Sequence, residues 1–151
     1  MTQFQPQDKD FAGRVRDSFA RQQVMQTIGA TLTLVEPGAV EIELPYRADL
    51  TQQHGFIQAG IVASILDSAC GYAAFSLMPA DAAILSIEFK VNLLAPATGE
   101  RIRARAEVKR AGQTVTVCTA DAWAMEAGRG KVVATMLATM MCIRGRQGLL
   151  G

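Results

Sequence analysis

The chain has 151 residues, of which half are hydrophobic and 19% are charged, and its formal net charge is +1. This length fits one domain over residues 1–151, and the near-neutral charge argues against a nucleic-acid-binding protein. One histidine and three widely spaced cysteines argue against a zinc site, and we expect the thiols to be buried and reduced, as in the cytoplasm. The ends, residues 1–7 and 145–151, are expected to be flexible.

The first predicted element is an amphipathic helix over residues 8–25, because large apolar side chains recur every four residues from Phe11 to Phe19. The residues before it contain neither a basic segment nor an apolar run, so we do not predict a signal peptide there. Two strands follow, at 30–36 and 39–45. The second alternates apolar residues with glutamates, which is typical of a strand with one buried face.

Residues 46–58 are polar and not periodic, which indicates a loop, and residues 59–77 are almost uniformly apolar, which indicates a buried helix. This apolar run resembles a membrane span in length. Asp67 lies near its middle, however, and a carboxylate at the centre of a bilayer would cost about 2.5–3.5 kcal/mol. We therefore predict a helix inside the protein and no contact with a membrane.

Four segments with strand character complete the chain, and the short turns between them predict an antiparallel meander. Such a sheet exposes one face unless another element covers it, and the helix over 59–77 is the only long apolar element available. That helix has no polar face of its own, so we expect a second subunit to cover its other side. The four segments are residues 83–94, 100–110, 114–125 and 131–144.

Asp67 is the first candidate for chemistry, because it is the only charged residue between Asp49 and Asp81. A carboxylate in such surroundings is costly unless it is paired or hydrogen-bonded. One interpretation is a structural aspartate at a subunit interface or capping a neighbouring element. The other is a carboxylate held in an apolar pocket and suited to act as a base or nucleophile.

The segment that leads into the apolar helix is the second candidate. A helix start leaves backbone N–H groups free, and such donors can stabilise the oxyanion that forms when a carbonyl group is attacked. Gly60 lies seven residues before Asp67, about two helical turns, and thus on nearly the same face. For Gly60 the alternative is plain turn geometry, and for His54 it is a solvated loop side chain.

The run HGFIQAGIVASILDSACGYAA, residues 54–74, resembles the motif of PaaI-like hotdog thioesterases. The later run SIEFKVNLLAPATGERIRARAEV, residues 86–108, is similar to the strand–turn–strand of that family, and the resemblance extends over about residues 25–144. It implies an α+β hotdog fold, in which an antiparallel sheet wraps around a long central helix, here with an additional N-terminal helix. It further implies hydrolysis of acyl-CoA without metal or cofactor, by a homodimer or homotetramer whose active sites lie between subunits.

The resemblance also implies roles for single residues. Asp67 matches the catalytic aspartate, which activates water or attacks the thioester carbon itself. Ala59 and Gly60 match a glycine pair whose backbone N–H groups stabilise the oxyanion, and Gln52 matches a polar side chain that orients water or substrate. His54 is a further candidate, because it could take over part of the role of a histidine that the family has at a later position.

Gln58 occupies the position of that histidine, and an amide can donate a hydrogen bond but cannot gain a proton near neutral pH. Ser68 and Asn92 are further candidates for substrate contacts, which they would make from the partner subunit. The alternative for Ser68 is a hydroxyl that packs in the helix, and for Asn92 an amide at a strand edge or turn.

The function expected from these residues is hydrolysis of an acyl-CoA with a medium-chain or aryl-acyl group. A second hypothesis is a non-catalytic hotdog protein that binds acyl-CoA, because Gln58 replaces the histidine. A third is a hotdog dehydratase, which requires a histidine and an acid in a fixed spacing. His54 lies in the loop before the helix, which argues against the dehydratase.

Overall fold

Two helices precede the sheet, where the sequence predicted one over residues 8–25. The computed structural model of the chain describes residues 3–149 and 151. Helix α1 spans Phe11–Arg21, helix α2 spans Gln23–Ile28, and Gln22 between them has an extended backbone with φ −78° and ψ 97°. The break lets Val15 of α1 and Met25 of α2 both become fully buried. The prediction of flexible ends falls partly on residues 1, 2 and 150, which lie outside the described residues.

Six antiparallel strands form one sheet around the third helix, α3, which spans Ala59–Phe75. The α+β hotdog architecture predicted from the sequence is confirmed, and the element bounds lie close to the predicted ones. A short 3-10 turn, Ala48–Leu50, is the one helical element in the described loop before α3. The strands are β1 Thr31–Glu36, β2 Ala39–Pro45, β3 Ala82–Leu93, β4 Arg101–Ala111, β5 Val115–Glu126 and β6 Arg129–Arg144.

The predicted four-stranded meander is wrong for β3. The strand order is β1-β2-β4-β5-β6-β3, so β3 pairs with β6 at the edge of the sheet instead of with β4. The connection over residues 94–100 can reach about 23 Å when extended, whereas three strand spacings need only about 14 Å. A short connection therefore does not require a hairpin here. It crosses beside the start of α3, where the Ile57 N–H donates to the Ala97 carbonyl at 3.0 Å.

Helix α3 packs against the concave face of the sheet. Small residues on β4, β5 and β6, among them Ala104, Ala120 and Ala138, are fully or almost fully buried, and their size lets the helix approach closely. The opposite stripe of α3 is only half covered. This stripe contains Ala63, Asp67 and Gly71, which follow one another at intervals of four residues. The expectation that a second subunit covers this stripe remains a prediction.

Arg14 fastens α1 to the far end of α3. Its guanidinium donates to the carbonyl oxygens of Phe75 at 3.1 Å and Met78 at 2.7 Å, and also to that of Pro79. The same group stacks over the Phe75 ring, 4.2 Å from its centroid, and pairs with Asp8 at 3.2 Å. These contacts satisfy carbonyl groups that the end of a helix leaves without partners. They also fix α1 alongside α3.

Strand β3 carries large apolar side chains that remain accessible. Leu85, Ile87, Phe89 and Leu93 are 44–56% exposed. An edge strand also presents unpaired backbone groups, so an edge that is both apolar and open is suited to pairing with another chain. Among the described residues, no helix combines the length and hydropathy needed to cross a membrane.

Candidate active site

Asp67 lies in the middle of α3 and is half-buried. The Ser86 hydroxyl donates to Asp67 Oδ1 at 2.7 Å and lies 3.4 Å from the Met140 sulfur. Ser86 is on β3, where it pairs with Met140 of the core, so its side chain points toward the helix. A hydrogen bond from a hydroxyl stabilises the ionised carboxylate and fixes its orientation.

Sequence reasoning did not identify Ser86 as a site residue. The only signal available was one serine between the apolar residues Leu85 and Ile87 of the strand. Its inward position depends on the register of β3, which shifts between Ser86 and Glu88. That bulge cannot be read from the alternation of side chains alone.

A cavity of about 360 Å³ opens beside the Asp67 carboxylate. Helix α1, helix α3 and strand β3 supply most of its walls, and Leu149 closes part of it. Ser68, one of the predicted site residues, is on this wall and is only 6% exposed. Its hydroxyl contacts the Gln22 amide, 3.1 Å from Nε2 and 3.2 Å from Oε1.

The start of α3 is capped by the side chain of Gln58. Its Oε1 accepts the N–H of Gly60 at 2.6 Å and that of Ile61 at 3.2 Å, so the Gly60 N–H is already used. Within residues 3–149 and 151, the Ala59 N–H has no hydrogen-bond partner. The free donor at this helix start is therefore Ala59, and the Gln58 side chain caps the helix.

A second cavity, of about 380 Å³, lies at this helix start and brings Ala59 together with Gln52. The Gln52 Oε1 accepts the backbone N–H of His54, which leaves the Nε2 end of the amide free to act as a donor. The remaining walls are largely apolar and include Phe56, Leu94 and Val133. Two donors in the lining of an otherwise apolar pocket are a suitable arrangement for holding a carbonyl oxygen.

The two cavities are separate in one chain. Ala59 and Asp67 are eight residues apart on α3, which corresponds to about 12 Å along the helix axis. A single thioester carbonyl cannot lie within hydrogen-bond distance of both. The predicted arrangement of helix start and carboxylate around one substrate is thus not formed by a single chain.

Two other predicted site residues lie apart from both cavities. His54 is exposed at the tip of the loop, and neither cavity is lined by it. Asn92 pairs with Thr135, whereas its neighbour Val91 pairs with the buried Met136. Because successive strand residues point to opposite faces, Asn92 points away from α3.

The thiols near Asp67 are held in the protonated form. Burial raises the pKa of Cys70, and the neighbouring Cys118 and the negative charge of Asp67 raise it further. Burial also raises the pKa of Cys118 to about 12. The nucleophilic form of cysteine is the thiolate, so neither buried thiol is suited to attack a substrate near neutral pH.

A family model described as the thioesterase superfamily matches residues 54–131. This range contains the whole of α3, which contributes residues to both cavities, and the edge strand β3. A Halobacterium salinarum protein provisionally named an esterase is 30% identical over 139 residues, which cover 82% of this chain and 91% of that protein.

Solved structures show the same fold. A thioesterase family protein from Silicibacter pomeroyi is 58% identical and superposes with a TM-score of 0.88, covering 89% of this chain and 99% of its own. The E. coli PaaI protein from the phenylacetic acid degradation operon is 17% identical, with a TM-score of 0.82 and coverage of 92% and 97%. The likeness to PaaI concerns the fold alone. The chain therefore belongs to the thioesterase superfamily and is a hydrolase of the hotdog fold.

Proposed function

We propose that the protein hydrolyses acyl-CoA thioesters to the free acid and CoA, with Asp67 as the catalytic carboxylate. The observation that carries this proposal is the Asp67 carboxylate itself, which is half-buried, oriented by the Ser86 hydroxyl at 2.7 Å and open to a cavity. An oriented carboxylate beside a pocket is suited to base or nucleophile chemistry.

In this proposal, residues from two subunits form each active site. The Ala59 N–H and the Gln52 amide of one subunit hold the carbonyl oxygen, and the partner subunit's Asp67 faces the carbonyl carbon. This arrangement accounts for the separation of about 12 Å between helix start and carboxylate within a chain. Two copies related by a twofold axis would pair along the open apolar edge of β3, and each pair would then contain two equivalent sites.

The reaction begins with an ionised Asp67. The carboxylate either takes a proton from water, whose oxygen attacks the thioester carbon, or attacks that carbon directly and forms an anhydride that water then opens. In both routes the carbonyl oxygen gains negative charge next to the Ala59 N–H. The C–S bond then breaks, and the sulfur leaves as a thiolate. A thiol has a pKa of about 8.5, so the leaving group needs little help from an acid, and Gln58 in place of histidine does not block the reaction.

The test is thiol release from short, medium, long and aryl acyl-CoAs by the wild type and by Asp67→Asn. We expect turnover of at least one substrate by the wild type and a loss of about two orders of magnitude or more in the variant. Single turnover in H₂¹⁸O, followed by mass spectrometry of the peptide with Asp67, identifies direct attack in which water opens the anhydride at the Asp67 carbonyl, because only that route places label in the carboxylate. Tight binding of an acyl-CoA without any turnover by the wild type would instead favour a binding protein.

A further inference from the structure

The cavity beside Asp67 has a wall of polar side chains whose function is not explained by the hydrolysis itself. Two pairs of side chains connect α3 to the N-terminal helices at this wall, one from Ser18 of α1 and one from Gln22, directly after α1. The Ser68 hydroxyl contacts both ends of the Gln22 amide, and the Ser18 hydroxyl lies 3.3 Å from the Tyr72 hydroxyl. All four residues line the cavity, and Ser68 and Tyr72 are 6% and 7% exposed.

These pairs do not use all of their hydrogen-bonding capacity. An amide side chain offers two donors and a carbonyl oxygen with two lone pairs, and the single Ser68 hydroxyl satisfies only part of this set. One hydrogen bond between Ser18 and Tyr72 likewise uses one of two hydroxyl protons. Burial raises the pKa of Tyr72, so its phenol stays protonated and remains a donor. The wall thus keeps free donors and acceptors that face the cavity.

The space between this wall and the carboxylate is open. Gly71 lies one helical turn after Asp67, and a methyl group built on it would meet no atom within 4 Å. A group attached to a carbonyl at Asp67 can therefore extend over Gly71 for about 7.5 Å before it reaches the level of Tyr72. An alkyl chain would cover the polar wall without bonding to it, and covering unsatisfied polar groups is unfavourable.

We infer that this cavity binds the acyl group and that Gln22 and Ser18 select acyl groups with a hydroxyl or similar polar substituent at their far end over plain alkyl chains. The inference rests on the proposed function, because it assumes that the thioester carbon lies at Asp67. It assigns a role to Gln22, the residue at which the predicted N-terminal helix is interrupted.

The test compares 6-hydroxyhexanoyl-CoA with heptanoyl-CoA, which have the same number of non-hydrogen atoms. We expect the wild type to prefer the hydroxylated substrate by about tenfold or more in kcat/KM. Gln22→Leu should bring this ratio to about one while turnover of heptanoyl-CoA persists. Gln23→Leu is the matched control, since Gln23 is exposed and lies outside the cavity, and it should keep the wild-type ratio. Ser18→Ala, which removes only the hydroxyl, should lower the ratio in part.

The same preference can be measured without turnover. For this, a methylene is placed between the sulfur and the carbonyl of each substrate, and the Kd values of the two resulting ketone analogues are compared. Equal kcat/KM values of the wild type for the two substrates would overturn the inference while the thioesterase function stands. The same holds if Gln22→Leu and Gln23→Leu have the same ratio of the two kcat/KM values. Failure of the proposed function would instead appear as absence of thiol release with every acyl-CoA.

Discussion

At the scale of single residues, the carboxylate of Asp67 depends on one hydroxyl. Ser86 donates to Oδ1 from strand β3, and both residues line the cavity beside the carboxylate. The hydrogen bond restricts the rotamer of Asp67. We therefore predict that Ser86 positions the Asp67 carboxylate.

We expect Ser86→Ala to lower kcat by about tenfold or more, because the Asp67 carboxylate loses the hydrogen bond that orients it. The measurement is the kcat of thiol release with the best acyl-CoA of the panel. Ser86→Thr keeps a hydroxyl and should restore most of the rate. Equal kcat values for the wild type and the alanine variant would remove Ser86 from the mechanism.

Gln58 offers a test that separates stability from catalysis. Gln58→Glu has nearly the same shape and retains the oxygen that accepts the Gly60 and Ile61 N–H groups. Its negative charge at a helix N-terminus should maintain or raise the Tm, whereas the same charge close to the developing oxyanion should lower kcat by about tenfold or more. Gln58→Ala removes the cap and should lower the free energy of unfolding by about 1 kcal/mol.

Thermal unfolding and steady-state kinetics of the two Gln58 variants provide the comparison. A glutamate variant with unchanged kcat would place the oxyanion elsewhere than at the Ala59 N–H.

At the scale of elements, α3 has one side packed on the sheet and another that lines the cavity beside Asp67. Its sheet-facing side is packed on small residues, and Arg14 holds the carbonyl groups at its far end. Its other stripe carries Asp67 and, one turn later, Gly71. Glycine inside a helix is unfavourable relative to alanine, so Gly71 lowers the stability of the helix on which the carboxylate lies.

We therefore expect Gly71→Ala to raise the free energy of unfolding by about 0.5–1 kcal/mol, since its added methyl meets no atom within 4 Å. The same methyl narrows the space next to the carboxylate, so kcat/KM for the larger acyl groups should fall. Chemical denaturation and the acyl-CoA panel measure the two effects. A variant that is more stable and equally active on every substrate would argue against the passage of the acyl group over Gly71.

The sequence predicts an element well when the signal is a local pattern of apolar and polar residues. The apolar run of α3 and the alternation of Val40, Ile42 and Leu44 in β2 are local patterns, and both elements form where those patterns lie. The break at Gln22 and the pairing of β3 with β6 have no local signal, because each depends on packing between distant segments. Ser86 was missed for that reason, whereas Asp67 stands out as a lone charge in an apolar helix.

At the scale of the whole molecule, the separation of helix start and carboxylate predicts that a site needs two chains. Asp67→Asn impairs the carboxylate half, and Gln52→Leu impairs the oxyanion half. Mixing the two variants after mild dissociation should restore activity, because a mixed dimer contains one site with both halves intact. Thiol release by the mixture, compared with each variant alone, is the measurement.

A mixture as inactive as its components, under conditions where native mass spectrometry detects mixed dimers, would show that each chain carries a complete site. Phe89→Lys on the open edge of β3 provides an independent check. It should shift the assembly toward monomers and lower the activity with it, because a charge at an apolar interface is unfavourable.

The pairing of β3 with β6 also has a consequence for the order in which the protein folds during synthesis. Ser86 and its strand neighbour Met140 are separated by 54 residues, so β3 leaves the ribosome well before the strand that will hold it. Long-range pairs of this kind form slowly and leave apolar strands exposed in the meantime. A chain translated only as far as β5 therefore contains both Asp67 and Ser86 but lacks β6, the strand with which β3 pairs.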